Sequence, residues 1–192
     1  MNKLVDAFDA FDANKYSRAL GLFLSLVNGD DLSLDERVNI YNNLGYIYEM
    51  GLVGSADFIK AAIWYEKAAE LNDACAQFSL AELQRSNFKD YKNAMAWYHK
   101  AANQKYSPAL CQLGFAYSLG DIVKKDVDKG KRYFHEAANL GHYISRAEIA
   151  RNSLYGKYGI KGIFHGLFSL FYLPISAHLA MKKNPHDERL KY

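Results

Sequence analysis

Residues 64–69 read WYEKAA, and this stretch decides the fold because close copies of it recur along the chain. The second copy is WYHKAA at 97–102, and the third is YFHEAA at 133–138. The copies start 33 and 36 residues apart. Self-similarity at this period is typical of proteins built from repeated helical hairpins. We therefore expect these segments to be the second helices of successive hairpins.

A second pattern precedes two of these copies. Residues 44–51 read LGYIYEMG and residues 113–120 read LGFAYSLG, so both contain Leu-Gly-x-x-Tyr-x-x-Gly. A glycine inside a helix costs roughly 1 kcal/mol relative to alanine, so close packing against a neighbouring helix must offset it. The middle unit has Ala81 at the glycine position. These segments are expected to be the first helices of the hairpins.

Continuing the pattern in both directions divides the chain into repeated units. We expect hairpins near residues 4–28, 34–72, 74–105 and 107–141, and a partial fifth unit at 143–156. Ser33 and Glu36 have the spacing of a capping box, which predicts the start of the first helix in the second hairpin. Asp126 is expected to cap the second helix of the fourth hairpin.

The combination of 44–51 with 60–69, repeated at 113–120 and 133–138, resembles the Sel-one-like repeat (SLR), a subfamily of the tetratricopeptide repeat superfamily. The middle unit departs from the pattern at Ala81, and the first hairpin resembles a generic tetratricopeptide unit. The resemblance covers residues 4–156. It implies an all-α, right-handed superhelical solenoid of antiparallel helical hairpins, with a concave face that binds proteins. It implies no catalytic activity.

The resemblance assigns two kinds of residue. The structural repeat positions are Leu44, Gly45, Trp64, Ala68, Trp97, Ala101, Leu113, Gly114, Tyr133 and Ala137. Tyr41 and Tyr46 are expected to bind a partner, because the first helix of each hairpin points inward in this superfamily and tyrosine offers contact area and a hydroxyl. Tyr48 and Tyr117 occupy equivalent positions, and we expect both in the core.

Composition supports a packed, intracellular protein. Half of the 192 residues are hydrophobic, which is ample for a core. Cys75 and Cys111 fall at different offsets in their repeats, so we expect free thiols in a reducing compartment. The acidic N-terminal sequence lacks the apolar stretch of a secretion signal, which favours a cytoplasmic location. Residues 1–150 carry 17 basic and 19 acidic side chains, so nucleic acid is not expected as a partner.

Motifs that carry chemistry are absent from the sequence. It has no glycine-rich phosphate loop, no His-Glu-x-x-His, no Cys-x-x-Cys and no nucleophile elbow. We therefore expect no catalytic residue, no metal ligand and no cofactor. His99 and His135 share a repeat position with Glu66, which predicts a solvated helix face rather than a ligand site.

The C-terminal segment has a different character. Residues 162–181 contain no side chain that is charged at neutral pH when histidine is neutral, and lysines flank both ends. Three interpretations of residues 157–183 remain open: a divergent helix that caps the repeats, a helix that contacts a membrane surface or partner, and a membrane span. In the second, the contact residues would be Phe164, Phe168, Phe171 and Tyr172. Residues 184–192 are set apart as a basic tail, in which Arg189 and Lys191 are matched by Asp187 and Glu188.

The sequence as a whole predicts a non-catalytic adaptor or scaffold that binds a peptide or protein segment on its concave face. The alternative is a membrane-associated accessory subunit, for example of an envelope or polysaccharide machine, which acts through the apolar C-terminal segment. Peripheral membrane contact would then occur through residues 160–181.

Overall fold

A computed structural model describes residues 3–29 and 31–154, and within this part of the chain all regular structure is helical. The helices are α1 (Lys3–Asp12), α2 (Tyr16–Leu26), α3 (Leu34–Glu49), α4 (Phe58–Glu70), α5 (Ala74–Ser86), α6 (Tyr91–Asn103), α7 (Ser107–Leu119), α8 (Val127–Asn139) and α9 (Tyr143–Leu154). The predicted all-α fold is confirmed. The apolar segment 157–183 and the tail 184–192 lie outside the described residues.

The chain divides into two compact units, residues 1–97 (unit 1) and 98–192 (unit 2). In unit 1, α1 packs on α2, α3 on α4, and α4 on α5. In unit 2, α7 packs on α8 and α8 on α9. The connections are three-residue turns or loops of seven to eight residues, and neighbouring helices in each unit bury their apolar faces against each other.

The turns that follow α4, α6 and α8 share one geometry. In each, a residue in the left-handed conformation follows the second helix: Asn72, Lys105 and Gly141, with φ of 66°, 62° and 90°. The next backbone N–H then donates to the carbonyl of the first alanine of the Ala-Ala pair; the distance from His142 to Ala137 is 3.0 Å. This arrangement satisfies carbonyl groups at the helix end that have no partner within the helix. The repeated alanines therefore fix the turns as well as the packing.

The loops inside the hairpins are also matched. The carbonyls of Tyr48 and Tyr117 accept hydrogen bonds from the backbone N–H groups of Asp57 and Asp126, both at 2.8 Å. The two aspartates then cap the following helices, Asp57 accepting from the N–H of Lys60 at 3.0 Å. Asp126 caps α8 in the same way. The capping box of Ser33 and Glu36 at the start of α3 is also present, so both predicted caps are confirmed.

The glycines of the first helices lie directly against aromatic rings. A Cβ added to Gly45 would lie 2.6 Å from Cε1 of Tyr65, and one added to Gly114 would lie 2.7 Å from Cδ1 of Phe134. Carbon atoms in contact prefer separations of about 3.5–4.0 Å. Only glycine therefore fits at these two positions without movement of the ring, and this contact sets the helix spacing in these two hairpins.

The structural repeat positions lie in or beside the cores of their units. Leu44 in unit 1 and Leu113 in unit 2 are fully buried, as are Ala68, Ala101 and Ala137. The first aromatic of each copy, Trp64, Trp97 or Tyr133, is only half-buried. The second aromatic is the buried one, since Tyr65, Tyr98 and Phe134 are at most 4% exposed. The first aromatics are therefore partly available for contacts at the surface.

Candidate protein-interaction sites

Tyr41 of α3 belongs to a half-buried aromatic cluster in unit 1. Its ring centroid is 5.7 Å from that of Trp64 on α4. The ammonium group of Lys67 lies 4.4 Å from the Trp64 ring and 5.8 Å from the Tyr41 ring. A cation at these distances is attracted by the negative faces of the rings. Tyr41 thus has its ring engaged with α4, which limits the area it can offer to a partner.

Tyr46 has a different environment. Its side chain is 43% exposed, and its ring makes an edge contact with Phe11 of α1 at a centroid distance of 6.2 Å. The structure therefore gives the two tyrosines separate neighbours, Trp64 for Tyr41 and Phe11 for Tyr46. Tyr46 retains more free surface than Tyr41.

The sequence predicts that Tyr48 and Tyr117 lie in the core, but the structure does not bury either of them completely. Both are half-buried, and each has a lysine ammonium group over its ring. Lys60 lies 5.3 Å from the centroid of Tyr48, and Lys129 lies 3.9 Å from that of Tyr117. Helix periodicity did not reveal these partners: a lysine lies over each ring, and the hydroxyl of Tyr117 is 3.4 Å from Nε2 of His99.

Two carboxylates in unit 1 lie close enough to influence each other. The hydroxyl of Tyr65 donates to Oε2 of Glu49 at 2.7 Å, and Arg85 pairs with Glu82 at 2.7 Å. Burial raises the pKa of Glu49 above its ordinary value, and the negative charge of Glu82 raises it further, while the Tyr65 hydrogen bond opposes both effects. This part of unit 1 therefore contains two acidic side chains, of which Glu82 is paired with Arg85.

Unit 2 contains a cavity of about 300 Å³. Its apolar wall is formed by Phe115 and Leu119 of α7 and Val127 of α8, and Leu119 is 63% exposed. The charged groups around it are Lys125 in the loop before α8, Lys131 on α8, and Glu148 and Arg151 on α9. The cavity is thus an apolar hollow with an excess of positive charge.

The cavity has a counterpart in unit 1 by repeat position. A shift of 69 residues aligns Gly45 with Gly114, Asp57 with Asp126 and Tyr65 with Phe134 without a gap. The same shift aligns the apolar residues Phe115, Leu119 and Val127 with Tyr46, Met50 and Phe58. The last three are exposed by 43%, 55% and 37%. Both units therefore present apolar side chains at the same three repeat positions.

A buried polar cluster in unit 2 has a structural role. His142 and Ser145 are 1% and 0% exposed, and Nδ1 of His142 accepts from the backbone N–H of Ser145 at 3.3 Å. Burial lowers the pKa of His142 to about 4 and raises the pKa of the nearby Cys111 thiol to about 11. A neutral thiol closed off from solvent is a poor nucleophile. The role of His142 is structural, because its ring caps the N-terminus of α9.

Ligands for metal ions are not clustered in this part of the chain. Across residues 3–29 and 31–152, no group of three or more His, Cys, Asp or Glu side chains could hold a metal ion. Within the described helices, none is both long enough and apolar enough to cross a bilayer. The predicted contact residues Phe164, Phe168, Phe171 and Tyr172 lie outside the described residues.

Three Sel1 repeats match the chain, at residues 41–73, 76–106 and 107–142. The chain belongs to the Sel1 repeat family. The predicted resemblance to SLR proteins of the tetratricopeptide superfamily is confirmed. Proteins of this family generally mediate protein–protein interactions and are typically non-catalytic scaffolds.

Two curated relatives match part of this chain and are much longer. Chitin synthase regulatory factor 3 of Schizosaccharomyces pombe is 28% identical over 120 residues, which are 59% of this chain and 13% of that protein. The putative sel1-like repeat-containing protein L21 of Acanthamoeba polyphaga mimivirus is 28% identical over 117 residues, or 61% of this chain and 21% of that protein. The chain therefore spans less than a quarter of the length of either relative.

Solved structures support the fold. The Sel1 repeat protein from Oxalobacter formigenes superposes with a TM-score of 0.71 at 23% identity, covering 92% of this chain and 69% of that one. The antigen c5321 of uropathogenic Escherichia coli, which displays an SLR fold, gives a TM-score of 0.59 at 23% identity and covers 81% of this chain and 37% of that one. At this level of identity the likeness establishes the Sel1 solenoid fold alone.

Sequence reasoning missed most residues of the cavity and of its counterpart. Neither Phe115 and Leu119 in unit 2 nor Glu49 and Glu82 in unit 1 stood out from their helices. The 69-residue shift could have revealed them, because it shows three apolar positions that are kept while the charged positions around them change.

Proposed function

We propose that this protein is a non-catalytic scaffold that binds a peptide or protein segment through apolar surfaces at the ends of its hairpins. The observation that carries the proposal is the agreement between the two units. Unit 1 exposes Tyr46, Met50 and Phe58 at the repeat positions that line the cavity of unit 2. Contiguous exposed apolar groups normally mark an interaction surface, and in unit 2 these three positions line one cavity.

Packing within the fold supports this proposal. The apolar groups of the hairpin interiors are fully buried at Leu44 and Leu113, so the repeat already has a core without Met50 and Leu119. A surface methionine adapts its shape to a partner, and tyrosine supplies both area and a hydrogen bond. Tyr46 is therefore the stronger of the two tyrosines predicted for partner binding, since the ring of Tyr41 is engaged by Trp64 and Lys67.

Affinity capture with the intact, tagged chain tests the proposal. Met50→Glu and Leu119→Glu would place a charge on each surface without disturbing a buried position. Val5→Glu is the matched control, because Val5 is 52% exposed on α1 and belongs to neither surface. We expect one or both surface variants to lose the captured partner while V5E retains it. Unchanged capture by both variants would refute the proposal.

A second candidate function is regulation of a membrane-bound enzyme that makes a polysaccharide, with membrane contact through residues 160–181. Its support is the identity of 28% with chitin synthase regulatory factor 3, whose name assigns it a regulatory role. Membrane fractionation that compares the full chain with the double variant Phe168→Asp/Phe171→Asp tests this candidate. We expect the parent chain in the membrane fraction and the double variant in the supernatant. Recovery of both in the supernatant would exclude this candidate.

A further inference from the structure

The cavity of unit 2 has the size and lining of a subsite for one side chain. At about 300 Å³ it lies at the lower end of the range for ligand pockets, roughly 300–1,000 Å³. Phe115, Leu119 and Val127 supply its apolar wall. A single large apolar side chain would bury favourable area there, whereas a larger cofactor would extend beyond the walls.

The charges at its rim are unbalanced. Arg151 pairs with Glu148 at 2.7 Å, and Lys131 lies 3.3 Å from Asp128, whose own side chain is 81% exposed. Within the described part of the chain, Lys125 has no carboxylate within ion-pair distance. Two of the three cations around the hollow therefore have a carboxylate partner, and Lys125 adds one further positive charge that an acidic ligand would complement.

The cations are not required by the repeat itself. In unit 1 the positions equivalent to Lys125, Lys131 and Arg151 are Ala56, Ala62 and Glu82. Unit 1 nevertheless forms the same hairpin, with the same aspartate cap and the same glycine–aromatic contact. The hairpin folds without these cations. Their positions around an apolar hollow are therefore better explained by recognition of a ligand than by a contribution to stability.

We propose that the unit 2 cavity binds a partner peptide in which a bulky apolar residue is flanked by acidic residues. The apolar side chain enters the hollow between Phe115 and Leu119, and the carboxylates lie against Lys125 and Lys131. This inference rests on the proposed scaffold function. The equivalent surface of unit 1 does not accept the same peptide, because Ala56 and Ala62 replace the two lysines and Glu49 adds an acidic side chain.

Charge also argues against the chain's own apolar segment as the occupant of the cavity. The apolar segment 162–181 has no acidic side chain and is flanked by Lys157 and Lys161 on one side and by Lys182 and Lys183 on the other. Insertion of this segment would bring basic flanks to a basic rim. An acidic partner has the complementary charge, and the chain's own segment does not.

Phage display of random nine-residue peptides on the full chain tests the proposal. We expect enrichment of peptides with one Phe, Trp or Leu next to at least two Asp or Glu residues. The best peptide is then measured by fluorescence anisotropy. Lys125→Ala/Lys131→Ala should weaken binding by about tenfold or more, an effect of about 1.4 kcal/mol. Lys124→Ala/Arg132→Ala removes the same charge from adjacent positions outside the cavity lining, and its affinity should stay within about twofold.

Several results would overturn the inference. One is the enrichment of peptides that lack acidic residues beside the apolar one. Another is an equal loss of peptide affinity in the two double variants. A third is unchanged affinity when alanine replaces the apolar residue of the peptide. Sedimentation of the chain could also depend on concentration, and K125A/K131A could abolish that dependence. This result would identify a second copy of the chain as the occupant and would also refute the inference. If no peptide is enriched while L119E still loses the captured partner, this inference fails and the scaffold function stands. If neither surface variant affects capture, the scaffold function itself fails.

Discussion

His142 caps helix α9 with its imidazole ring, because Nδ1 accepts a hydrogen bond from the backbone N–H of Ser145 at 3.3 Å. The hydroxyl of Ser145 lies 3.0 Å from the same nitrogen. At the equivalent position of unit 1, Asp73 caps α5 with a carboxylate, which accepts from the N–H of Ala76 at 2.7 Å. The two units thus use the same cap position with different chemistry. The imidazole cap fails when Nδ1 is protonated, because the nitrogen can then no longer accept a hydrogen bond.

Acidification should therefore destabilise unit 2 through His142. Its pKa is about 4 in the folded protein and about 6.5 in the unfolded chain, so the neutral form is favoured by folding. The contribution is complete above pH 6.5 and is lost as the pH falls toward 4, up to about 3 kcal/mol. The lowered pKa of His99 acts in the same direction. Urea unfolding at pH 7.5 and pH 5 measures the loss.

The variant His142→Asn separates this effect from other titrating groups. Asparagine keeps an oxygen that can cap the helix and has no ionisable group in this range. The difference in stability between pH 7.5 and pH 5 should be smaller in H142N than in the parent chain. An equal difference in both proteins would show that the histidine cap is not the acid-sensitive element.

Replacement of Gly45 or Gly114 by alanine should loosen the hairpin. The new methyl group would lie within 2.7 Å of the ring of Tyr65 or Phe134, so the ring or the helix must move. Overpacking of this kind costs about 1–3 kcal/mol. Gly21→Ala is the control, because a Cβ at Gly21 on α2 meets nothing within 4 Å and should stabilise the helix by about 0.5–1 kcal/mol. Thermal unfolding followed by circular dichroism distinguishes the opposite signs.

Loss of the Tyr65 hydroxyl should raise the pKa of Glu49 further. The hydroxyl donates to the ionised carboxylate and is the effect that opposes burial and Glu82. Tyr65→Phe removes this donor, which costs roughly 1–2 kcal/mol at neutral pH. An NMR titration of the Glu49 carboxyl carbon in both proteins measures the change. A pKa that stays the same or falls in Y65F would contradict the assignment.

Unit 2 suggests the compensating change. At the positions equivalent to Glu49 and Tyr65 it has Ser118 and Phe134, so neither the buried carboxylate nor its donor is present. The double variant Glu49→Ser/Tyr65→Phe should therefore lose less stability than the sum of the two single variants. A coupling of about 1 kcal/mol is expected for two residues joined by one hydrogen bond. Additive losses would indicate that the two side chains act independently.

The lysine over Tyr117 should stabilise unit 2 more than its counterpart stabilises unit 1. Lys129 lies 3.9 Å from the ring centroid of Tyr117, compared with 5.3 Å from Lys60 to Tyr48. Lys129→Met keeps the aliphatic chain and removes the charge, at an expected cost of about 0.5–1 kcal/mol. Lys60 also pairs with Asp57 at 3.0 Å, so Lys60→Met is compared in an Asp57→Asn background, which keeps a helix cap. There it should cost less, and Lys124→Met, at an exposed loop position, should be nearly neutral. Urea midpoints rank the three variants, and a different order would contradict the geometric explanation.

The repeated helices were predictable because their periodicity repeats in the sequence. The segments 64–69, 97–102 and 133–138 and their glycine-containing partners identify the family, and local caps such as Ser33 mark helix starts. Exposure was harder to predict. Tyr46 and Tyr48 are two residues apart on one helix and have the same side chain, yet one contacts Phe11 and the other contacts Lys60. Such partners come from other helices, so helix periodicity alone does not identify them.

The sequence by itself determined the all-α repeat fold, since glycine, paired alanines and aromatics at fixed spacing leave one way to pack a hairpin. The tertiary structure decided where the apolar cavity lies and which charges surround it. Lys125, Lys131 and Arg151 come from a loop and two helices, and each looks like an ordinary surface residue in the sequence. Folding brings them to one hollow, and the resulting excess of positive charge is a property of their positions in space.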